Sequence, residues 1–542
     1  MTILNQIYNN LQQLQDQPIL HEIHNQQQID ISAKALDQQI CRARTFLTTQ
    51  GICPGDRVAL LAPNSANWVA IDLAIIAVGA IAVPLYHRQR PEILANMLAD
   101  CQPSLLIVTD DELAETIASV WATPCPIVLM KTVFEAEPTQ SAPYPIAPTD
   151  TVTIIYTSGT SGDPKGVMLT RANYDAVIPR MSQRFAQITK RSTANDRVFH
   201  FLPFCFAPAR LVLWTQLYRA NAITLSTCLQ DLANEIKTVN PNYFLTVPMV
   251  LERFRSGIEQ HLQRKRMLWL LKMAHQAYQR CQNGRTVWFD QLIVKAAQQG
   301  LCSRLKNNIA SNLQLIICGS APLSPETQSW FEMLGIPIYQ GYGLTETTGI
   351  VTLETLDRIE LGHVGSPIEG CELKLTPQGE LICRGPNLFK GYWHRPEATA
   401  QVLRDGWFYT GDRAVINQQG SWRMMGRLKH ILVPTSGHNI SPEPLEQQLI
   451  EACDGIDQAL LVGHGRPFLS AIVVGSADES ALTAALQIVN KRVPHYQKIR
   501  KFYRTAEPFS LANGLLTANG KLRRTEIESR FHQVVEQLYQ SA

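Results

Sequence analysis

The sequence lacks several patterns that would assign it to a specialised class. Its twelve cysteines include no Cys-x-x-Cys pair, which argues against a zinc site or a disulfide framework and fits a reducing cytoplasm. The net charge of +3 is too small to indicate a nucleic-acid-binding protein. No basic region followed by an apolar core opens the chain, so we expect no secretory signal. With 45% hydrophobic and 18% charged residues, the composition is that of a globular protein.

One apolar run, 68–85, is about long enough to span a bilayer. It contains Asp72 and Pro84, and polar residues that can cap a helix stand just before it. The run therefore predicts a buried helix at about 66–78 followed by a core strand at 81–85, in preference to a membrane span.

The length of 542 residues predicts two or more domains. Strands alternate with helices over most of the chain, which predicts an α/β fold of doubly wound parallel sheets. Hairpin patterns over about 362–425, one of them around the turn 417–420, predict a small β-barrel-like part. A new α+β pattern follows, with a hairpin predicted around 463–467. We place the boundary at about 428, giving a large N-terminal domain over 1–428 and a small C-terminal domain over 429–542.

A segment rich in glycine and hydroxyl residues, 156–166 (YTSGTSGDPKG), follows a β-branched run at 152–156 that predicts a buried strand. Glycines let backbone N–H groups approach an anion, hydroxyls add donors, and Lys165 adds a positive charge. The Walker A spacing is absent. An ordinary glycine-rich turn is the alternative, but the specific order of residues favours a polyphosphate-binding loop.

This order resembles the phosphate loop of the adenylate-forming (AMP-binding, acyl-activating) superfamily. Four further stretches match that superfamily in its order: GYGLTE at 341–346, YTGD at 409–412, GRLK at 426–429 and NGK at 519–521. Each stretch alone could be a turn or a linker, but their joint occurrence in order argues against chance. The resemblance implies a large AMP-binding domain and a small mobile C-terminal lid.

The resemblance implies an ATP- and AMP-binding set that consists of Thr157, Ser158, Gly159, Thr160, Ser161, Lys165, Gly319, Ser320, Ala321, Gly341, Tyr342, Gly343, Asp412 and Arg427. Within it, Tyr342 would offer a flat face to adenine. Asp412 would accept hydrogen bonds from the ribose hydroxyls, and Arg427 would bind ribose or phosphate. The strands before 319 and 341, expected to end at 318 and 339, should bring both small-residue loops to one edge of the sheet.

The same resemblance implies catalytic roles for Thr345, Glu346 and Lys521. Glu346 would be an oxygen ligand for Mg²⁺, and Lys521 a positive charge for the α-phosphate and the acyl carboxylate. A carboxylate would attack the α-phosphorus of ATP and release pyrophosphate, and the thiol of coenzyme A would then displace AMP. Because a carboxylate is ionised at neutral pH, this chemistry requires no general base.

Further roles follow from the superfamily's two-step cycle, in which the small domain is thought to rotate. The matching hinge is Lys429, and Gly437 and His438 would border the pantetheine tunnel. Phe206 stands where the superfamily often has a histidine, so an acyl-pocket wall and simple core packing are equally good interpretations.

The linker and helix at 426–446, with 217–219 and 247–252, resemble the long-chain fatty acyl-CoA synthetase branch. The resemblance therefore implies a medium- or long-chain fatty acid as substrate. Two alternatives are a ligase that loads an acyl or aminoacyl group onto a separate carrier protein and a nucleotide-binding protein without catalysis. The basic amphipathic stretch 259–275 is typical of a solvated helix face, and peripheral membrane contact is its second interpretation.

Overall fold

The computed structural model describes residues 2–122, 125–139, 142–158, 164–189, 196–356, 359–518 and 520–540. By contacts between residues, the chain forms two compact units. The N-terminal unit comprises Met1–His87, Pro91–Glu372 and Arg384–Gly406, and the C-terminal unit comprises Arg88–Arg90, Leu373–Cys383 and Trp407–Ala542.

The helices of the described residues follow one another in this order: α1 (Ile3–Leu14), α2 (Ala33–Thr49), α3 (Ala66–Ala77), α4 (Pro91–Cys101), α5 (Asp111–Val120), α6 (Met130–Val133), α7 (Arg171–Thr189), α8 (Ala207–Tyr218), α9 (Leu232–Val239), α10 (Pro248–Arg264), α11 (Leu268–Gln282), α12 (Asp290–Ala297), α13 (Ser303–Ala310), α14 (Pro325–Met333), α15 (Pro396–Val402), α16 (Pro442–Glu451), α17 (Glu479–Arg492), α18 (Arg524–Arg530) and α19 (His532–Gln540).

The strands are β1 (Pro18–His24), β2 (Gln27–Ser32), β3 (Arg57–Leu61), β4 (Ile81–Leu85), β5 (Leu105–Val108), β6 (Ile127–Leu129), β7 (Thr151–Ser158), β8 (Pro164–Thr170), β9 (Val198–His200), β10 (Ile223–Ser226), β11 (Tyr243–Thr246), β12 (Ile316–Cys318), β13 (Ile338–Tyr342), β14 (Thr352–Leu353), β15 (Ser366–Pro367), β16 (Glu372–Leu375), β17 (Glu380–Arg384), β18 (Gly391–Tyr392), β19 (Leu403–Arg404), β20 (Trp407–Ile416), β21 (Trp422–Arg427), β22 (Ile456–Val462), β23 (Leu469–Gly475) and β24 (Ile499–Thr505).

The first sheet of the N-terminal unit has the strand order β18-β8-β7-β4-β3-β5-β6 within the described residues. Its central strands are parallel and almost entirely buried, as expected for a sheet with helices on both faces. The predicted helix at 66–78 and strand at 81–85 are confirmed as α3 and β4. None of the helices in the described ranges combines the length and hydropathy that crossing a bilayer requires.

The second sheet has the order β15-β14-β13-β12-β11-β9-β10-β1-β2. Its centre is parallel, whereas β1 and β2 form an antiparallel hairpin that joins the sheet through β10. One expectation about this sheet is wrong. We expected a strand to end at 339 and a loop to follow, but β13 continues to Tyr342, because β14 offers it an antiparallel partner.

The C-terminal unit contains the sheet β22-β23-β24, on which α16 and α17 pack through a buried aliphatic core. The alternate side chains of β22 and β23, on the other face of the sheet, belong to a second apolar cluster. This cluster also includes residues of α18 and α19. The predicted hairpins around 417–420 and 463–467 are confirmed as the antiparallel pairs β20–β21 and β22–β23.

Candidate active site

The phosphate-loop segment lies at the end of a hairpin formed by β7 and β8. Thr157 pairs with Lys165, and Ser158 pairs with Pro164, so the two strands are in register up to the loop. Gly159, Thr160 and Ser161 lie outside the described residues. The hairpin places the backbone of Thr157 and Ser158 beside Lys165 at the base of the loop.

Tyr156 anchors the start of this segment. Its hydroxyl donates to Oδ2 of Asp100 at 2.7 Å, and Arg395 forms an ion pair with the other oxygen of Asp100 at 2.8 Å. Burial, followed by the nearby Cys101 and Asp100, raises the pKa of Tyr156 well above its usual value, so the phenol stays protonated and remains a donor. Tyr156 therefore connects the base of the phosphate loop to α4.

Tyr392, which the sequence analysis did not single out, contacts both Lys165 and Glu346. The Tyr392 hydroxyl donates to Oε1 of Glu346 at 2.8 Å, and Nζ of Lys165 lies 5.2 Å from the centre of the Tyr392 ring. The second distance is within the range of a cation–π interaction. One tyrosine thus contacts both the predicted phosphate-binding lysine and the predicted metal-binding carboxylate.

The position of Tyr392 is fixed by backbone pairing. It lies on β18, where it pairs with Val167 of β8, and the next residue, Trp393, donates its N–H to the Gly166 carbonyl at 2.7 Å. The N–H of Phe389 donates to the carbonyl of Glu346 at 2.9 Å. The Gly-Tyr-Trp run ahead of α15 was the sequence signal for this strand, but nothing local indicates its partner.

The predicted adenine-binding stretch lies next to this cluster. Gly341 and Tyr342 end β13, and Thr345 and Glu346 lie in the 3₁₀ turn Thr345–Thr347, which contacts β8. Gly343 must be glycine, because a Cβ there would lie 2.4 Å from the Gly349 carbonyl oxygen.

A second predicted ATP/AMP-binding loop, 319–321, lies against β13. A Cβ on Gly319 would lie 3.2 Å from the Gly341 carbonyl oxygen, and Ser320 has a left-handed backbone with φ of 71°. Ser320 and Ala321 are exposed. The structure thus brings together the two small-residue loops of the predicted ATP/AMP-binding set.

Phe206 lies immediately before α8 and is partly buried. Its ring centre is 5.7 Å from that of Tyr86, which follows β4. Gly349 approaches the same helix end, because a Cβ there would lie 3.0 Å from backbone atoms of Ala207 and Pro208. Phe206 is therefore a partly exposed ring beside Tyr86 rather than a residue of the deep core.

In the C-terminal unit, Asp412 and Arg427 are cross-strand neighbours on β20 and β21. Nε of Arg427 lies 3.0 Å from Oδ1 of Asp412, and Asp412 is largely buried. Two predicted ribose-binding residues that are 15 positions apart in the chain are therefore adjacent in space.

The predicted hinge residue, Lys429, lies in the 3₁₀ turn Leu428–His430 directly after β21. His430 approaches Oε1 of Glu443 at 2.7 Å. Burial opposes ionisation of Glu443, but the His430 hydrogen bond and the Arg524 charge outweigh it and lower its pKa. The hinge turn is thus attached to α16 by a charged hydrogen bond.

The predicted tunnel residues follow in an exposed loop of the same unit. Gly437 has a φ of +75°, and no atom lies within 4 Å of the position where a Cβ would stand. His438 stacks on Tyr496, with ring centres 4.0 Å apart and planes inclined by 9°. Tyr496 was absent from the sequence-based set.

Lys521 is exposed at the end of a tight turn. Its backbone N–H donates to Oγ1 of Thr517 at 3.1 Å, and its carbonyl accepts the N–H of Thr517 at 2.8 Å. An antiparallel bridge between Leu516 and Leu522 closes the turn. Asn519 lies outside the described residues.

Comparison with known protein families identifies the family to which this chain belongs. A model described as "AMP-binding enzyme" matches residues 8–393, and one described as "AMP-binding enzyme C-terminal domain" matches residues 429–542. The chain belongs to the AMP-binding enzyme family. It is therefore an enzyme of the adenylate-forming class, and the resemblance seen in its motifs is confirmed.

Curated relatives of this AMP-binding enzyme extend over nearly its whole length. It is 27% identical to the long-chain-fatty-acid–CoA ligase FadD15 of Mycobacterium bovis, over 94% of this chain and 92% of the relative. It is 26% identical to the chloroplastic long-chain-fatty-acid–[acyl-carrier-protein] ligase AEE15 of Arabidopsis thaliana, over 97% of this chain and 85% of the relative.

Among solved structures, the anthranilate CoA ligase AuaEII in complex with anthranoyl-AMP superposes on the chain with a TM-score of 0.79. The sequence identity is 20%, and the match covers 99% of this chain and 98% of the other. The match confirms the predicted mixed α/β fold with a large N-terminal and a smaller C-terminal domain.

Proposed function

We propose that this AMP-binding enzyme uses ATP to activate a medium- or long-chain fatty acid as an acyl-adenylate and transfers the acyl group to coenzyme A. The observation that supports it best is the contact of Tyr392 with both Lys165 and Glu346 beside the phosphate-loop hairpin. A cation and a carboxylate held together suit a ligand that carries both phosphates and a bound cation. The names of the fatty-acid–CoA ligase relatives support the substrate class.

In the first step, the chain's residues position and stabilise charge. Lys165 and the backbone of the β7–β8 hairpin bind phosphate, Tyr342 stacks on adenine, and Asp412 and Arg427 bind the ribose. Lys521 neutralises charge that develops at the α-phosphate. The fatty acid arrives ionised at neutral pH, so the enzyme contributes orientation rather than proton removal.

A magnesium ion fits the donor set at Glu346. No group of three or more His, Cys, Asp or Glu side chains in the described ranges is arranged to hold a metal. Magnesium is usually held by one or two carboxylates together with substrate phosphates, so a single carboxylate is sufficient. Glu346, held in place by Tyr392, would be that ligand. When bound, the ion would reduce the negative charge of the phosphates.

For the second step, we propose that the C-terminal domain, 429–542, turns about Lys429 and replaces Lys521 by the loop that carries Gly437 and His438. Gly437 suits this role, because no atom lies within 4 Å of where its Cβ would stand. Phe206, with Tyr86, would limit the acyl pocket. The thiol of coenzyme A would then attack the acyl-adenylate, and AMP would leave.

A separate acyl carrier protein is the second candidate acceptor, and the name of the relative AEE15 favours it. We also propose a cytoplasmic location, since none of the twelve cysteines, all within the described ranges, forms a disulfide. We propose in addition that the basic stretch 259–275 makes peripheral contact with a membrane surface.

The test is release of pyrophosphate by the purified chain with ATP, Mg²⁺ and carboxylic acids from acetate to palmitate. The reaction is followed alone, with coenzyme A and with a phosphopantetheinylated carrier protein. Release that increases with chain length and yields acyl-CoA by mass spectrometry would support the proposal. Acylation of the carrier protein alone would favour the second candidate, and no release with any acid would refute both.

A further inference from the structure

The helical hairpin α11–α12 exposes an unusual number of large apolar side chains. Trp288 is 83% exposed, Leu292 63% and Trp269 62%, and smaller exposed areas come from Met273, Val287 and Phe289. We call these six side chains the hairpin surface. Isolated apolar residues are common on protein surfaces, but a group of this size marks an interaction site.

The spacing of these residues is helical. On α11, Trp269, Lys272, Met273 and Gln276 are three or four positions apart and all exposed, whereas Leu271 is on the buried face. On α12, Leu292 and Lys295 repeat the pattern three positions apart, and both are exposed. Each helix therefore turns one apolar and basic face to the solvent.

The loop that joins the helices is held so that Trp288 projects outward. The buried carboxylate of Asp290 accepts two hydrogen bonds from Arg280, at 2.5 and 3.0 Å, and one from the N–H of Val287 at 2.9 Å. Trp288 and Phe289 contact edge to face, with ring centres 5.4 Å apart. The exposure of Trp288 is thus a consequence of a well-bonded turn.

The exposed charges of the hairpin itself have one sign. Residues 260–300 contain seven Lys or Arg and one acidic residue, Asp290, which is buried against Arg280. The exposed cations of the hairpin and its approach are Arg264, Lys265, Arg266, Lys272, Arg285 and Lys295. An anionic partner is therefore expected.

We infer that the hairpin surface binds the interface of an anionic lipid bilayer. Tryptophan and other aromatic rings prefer the headgroup region, and Lys and Arg beside them are attracted to anionic lipids. The large apolar side chains are themselves highly exposed, which suits insertion between lipid headgroups. This inference deepens the proposed membrane contact, because it assigns the contact to residues 264–295 instead of 259–275. It rests on the proposed function only in that the substrate is a lipid.

The test is flotation of the full chain with vesicles of phosphatidylcholine that contain or lack phosphatidylglycerol. The wild type should bind the anionic vesicles, and its affinity should fall as salt is raised. Trp288→Ser with Leu292→Ser should weaken binding about tenfold, as should Arg285→Gln with Lys295→Gln. Brominated lipids should quench tryptophan fluorescence less in the Trp288→Ser variant.

The matched control is Ile29→Ser, which removes an aliphatic side chain that is 50% exposed on β2 and should leave binding unchanged. All variants should keep wild-type pyrophosphate release with a water-soluble acid, which separates this inference from the proposed function. Equal binding by all variants would overturn it. So would dimers that disappear in the Trp288→Ser variant without vesicles, or charge-dependent binding of a carrier protein without vesicle binding.

Discussion

Tyr392 donates its hydroxyl hydrogen to Oε1 of Glu346 across 2.8 Å, although the two residues are 46 positions apart. The same ring lies under the ammonium group of Lys165 at 5.2 Å. The hydroxyl and the ring therefore have separable roles: the hydroxyl orients a carboxylate, and the ring stabilises a cation. Tyr392 is accordingly a positioning residue, and two substitutions can separate its contributions.

We predict that Tyr392→Phe lowers the rate of adenylate formation about tenfold at limiting Mg²⁺, because a hydrogen bond to a charged group contributes about 1.5–3 kcal/mol. Its affinity for AMP should stay near that of the wild type, since the ring remains under Lys165. Tyr392→Leu should weaken AMP binding a further few-fold, because it removes the cation–π contact. Calorimetry of AMP binding and pyrophosphate release over a magnesium titration measure the two effects.

The matched control is Tyr503→Phe on β24, where the tyrosine is partly exposed. It should leave magnesium dependence and AMP affinity unchanged. A magnesium titration of Tyr392→Phe that coincides with that of the wild type would show that the hydroxyl does not position Glu346.

We predict that Lys521→Ala reduces adenylate formation at least about a hundredfold, because it removes a positive charge at the site where phosphate charge develops. ATP binding should persist, since Lys165, Asp412 and Arg427 remain. Thioester formation from supplied acyl-adenylate should also persist, because the proposed second step does not use Lys521. Stopped-time assays of each half-reaction measure both outcomes.

The control here is Lys491→Ala, which removes an exposed lysine from α17. It should leave both half-reactions unchanged. If Lys521→Ala slowed the second half-reaction as much as the first, the proposed exchange of Lys521 for the Gly437 loop would be wrong.

Local patterns were sufficient for many elements of the fold. The helix at 66–78 was predictable because polar caps precede a continuous apolar run, and the hairpins around 417–420 and 463–467 were predictable from their turn residues. The motif order also indicated the family. These features share one property, which is that the relevant information lies within a few neighbouring residues.

Long-range contacts were not predictable in this way. The pairing of β1 with β10 joins residues about 200 positions apart, and the extension of β13 to Tyr342 depends on its pairing with β14. The partner of Tyr392 is set by the pairing of β18 with β8. Contacts between residues that are far apart in the chain could not be predicted from the sequence, because no local periodicity indicates which distant strand or turn will be adjacent.

We predict that the carboxyl of Glu332 makes the N-terminal unit less stable as pH rises. Burial raises its pKa to about 7, and its buried Oε1 has no hydrogen-bond partner. The unfolded chain has a glutamate pKa of about 4.3, so the folded state binds this proton more tightly. The contribution of this proton to the free energy of unfolding is fully present below about pH 4.3 and is lost as pH rises through about 7.

Thermal unfolding at pH 5 and pH 8 measures this effect against Glu332→Gln, which carries no titratable group. Between the two pH values, the free energy of unfolding should fall by about 1–2 kcal/mol more in the wild type than in the variant. This figure is smaller than the full pKa shift implies, because the side chain is partly exposed. Titrating groups that do not interact with Glu332 cancel in the comparison. Parallel pH profiles for the two proteins would contradict the raised pKa.

The fully buried ion pair of Arg210 and Asp72 gives a last prediction. Its charged atoms are 2.6 Å apart, Trp214 donates to Asp72 at 3.2 Å, and Arg210 donates to Oγ1 of Thr153 on β7 at 2.6 Å. Arg210→Met should cost about 3–5 kcal/mol of unfolding free energy, because it leaves a carboxylate buried without its cation. It should also slow adenylation, since β7 leads directly into the phosphate loop.

Adding Asp72→Asn to Arg210→Met should recover much of that loss, because the double variant buries no unpaired charge. The exposed pair of Arg384 and Glu372 provides the comparison, and Arg384→Met should cost less than about 1 kcal/mol. Urea unfolding of all three variants measures the differences. A double variant as unstable as Arg210→Met would mean that packing of the long side chain, rather than charge pairing, makes Arg210 necessary between α8 and β7.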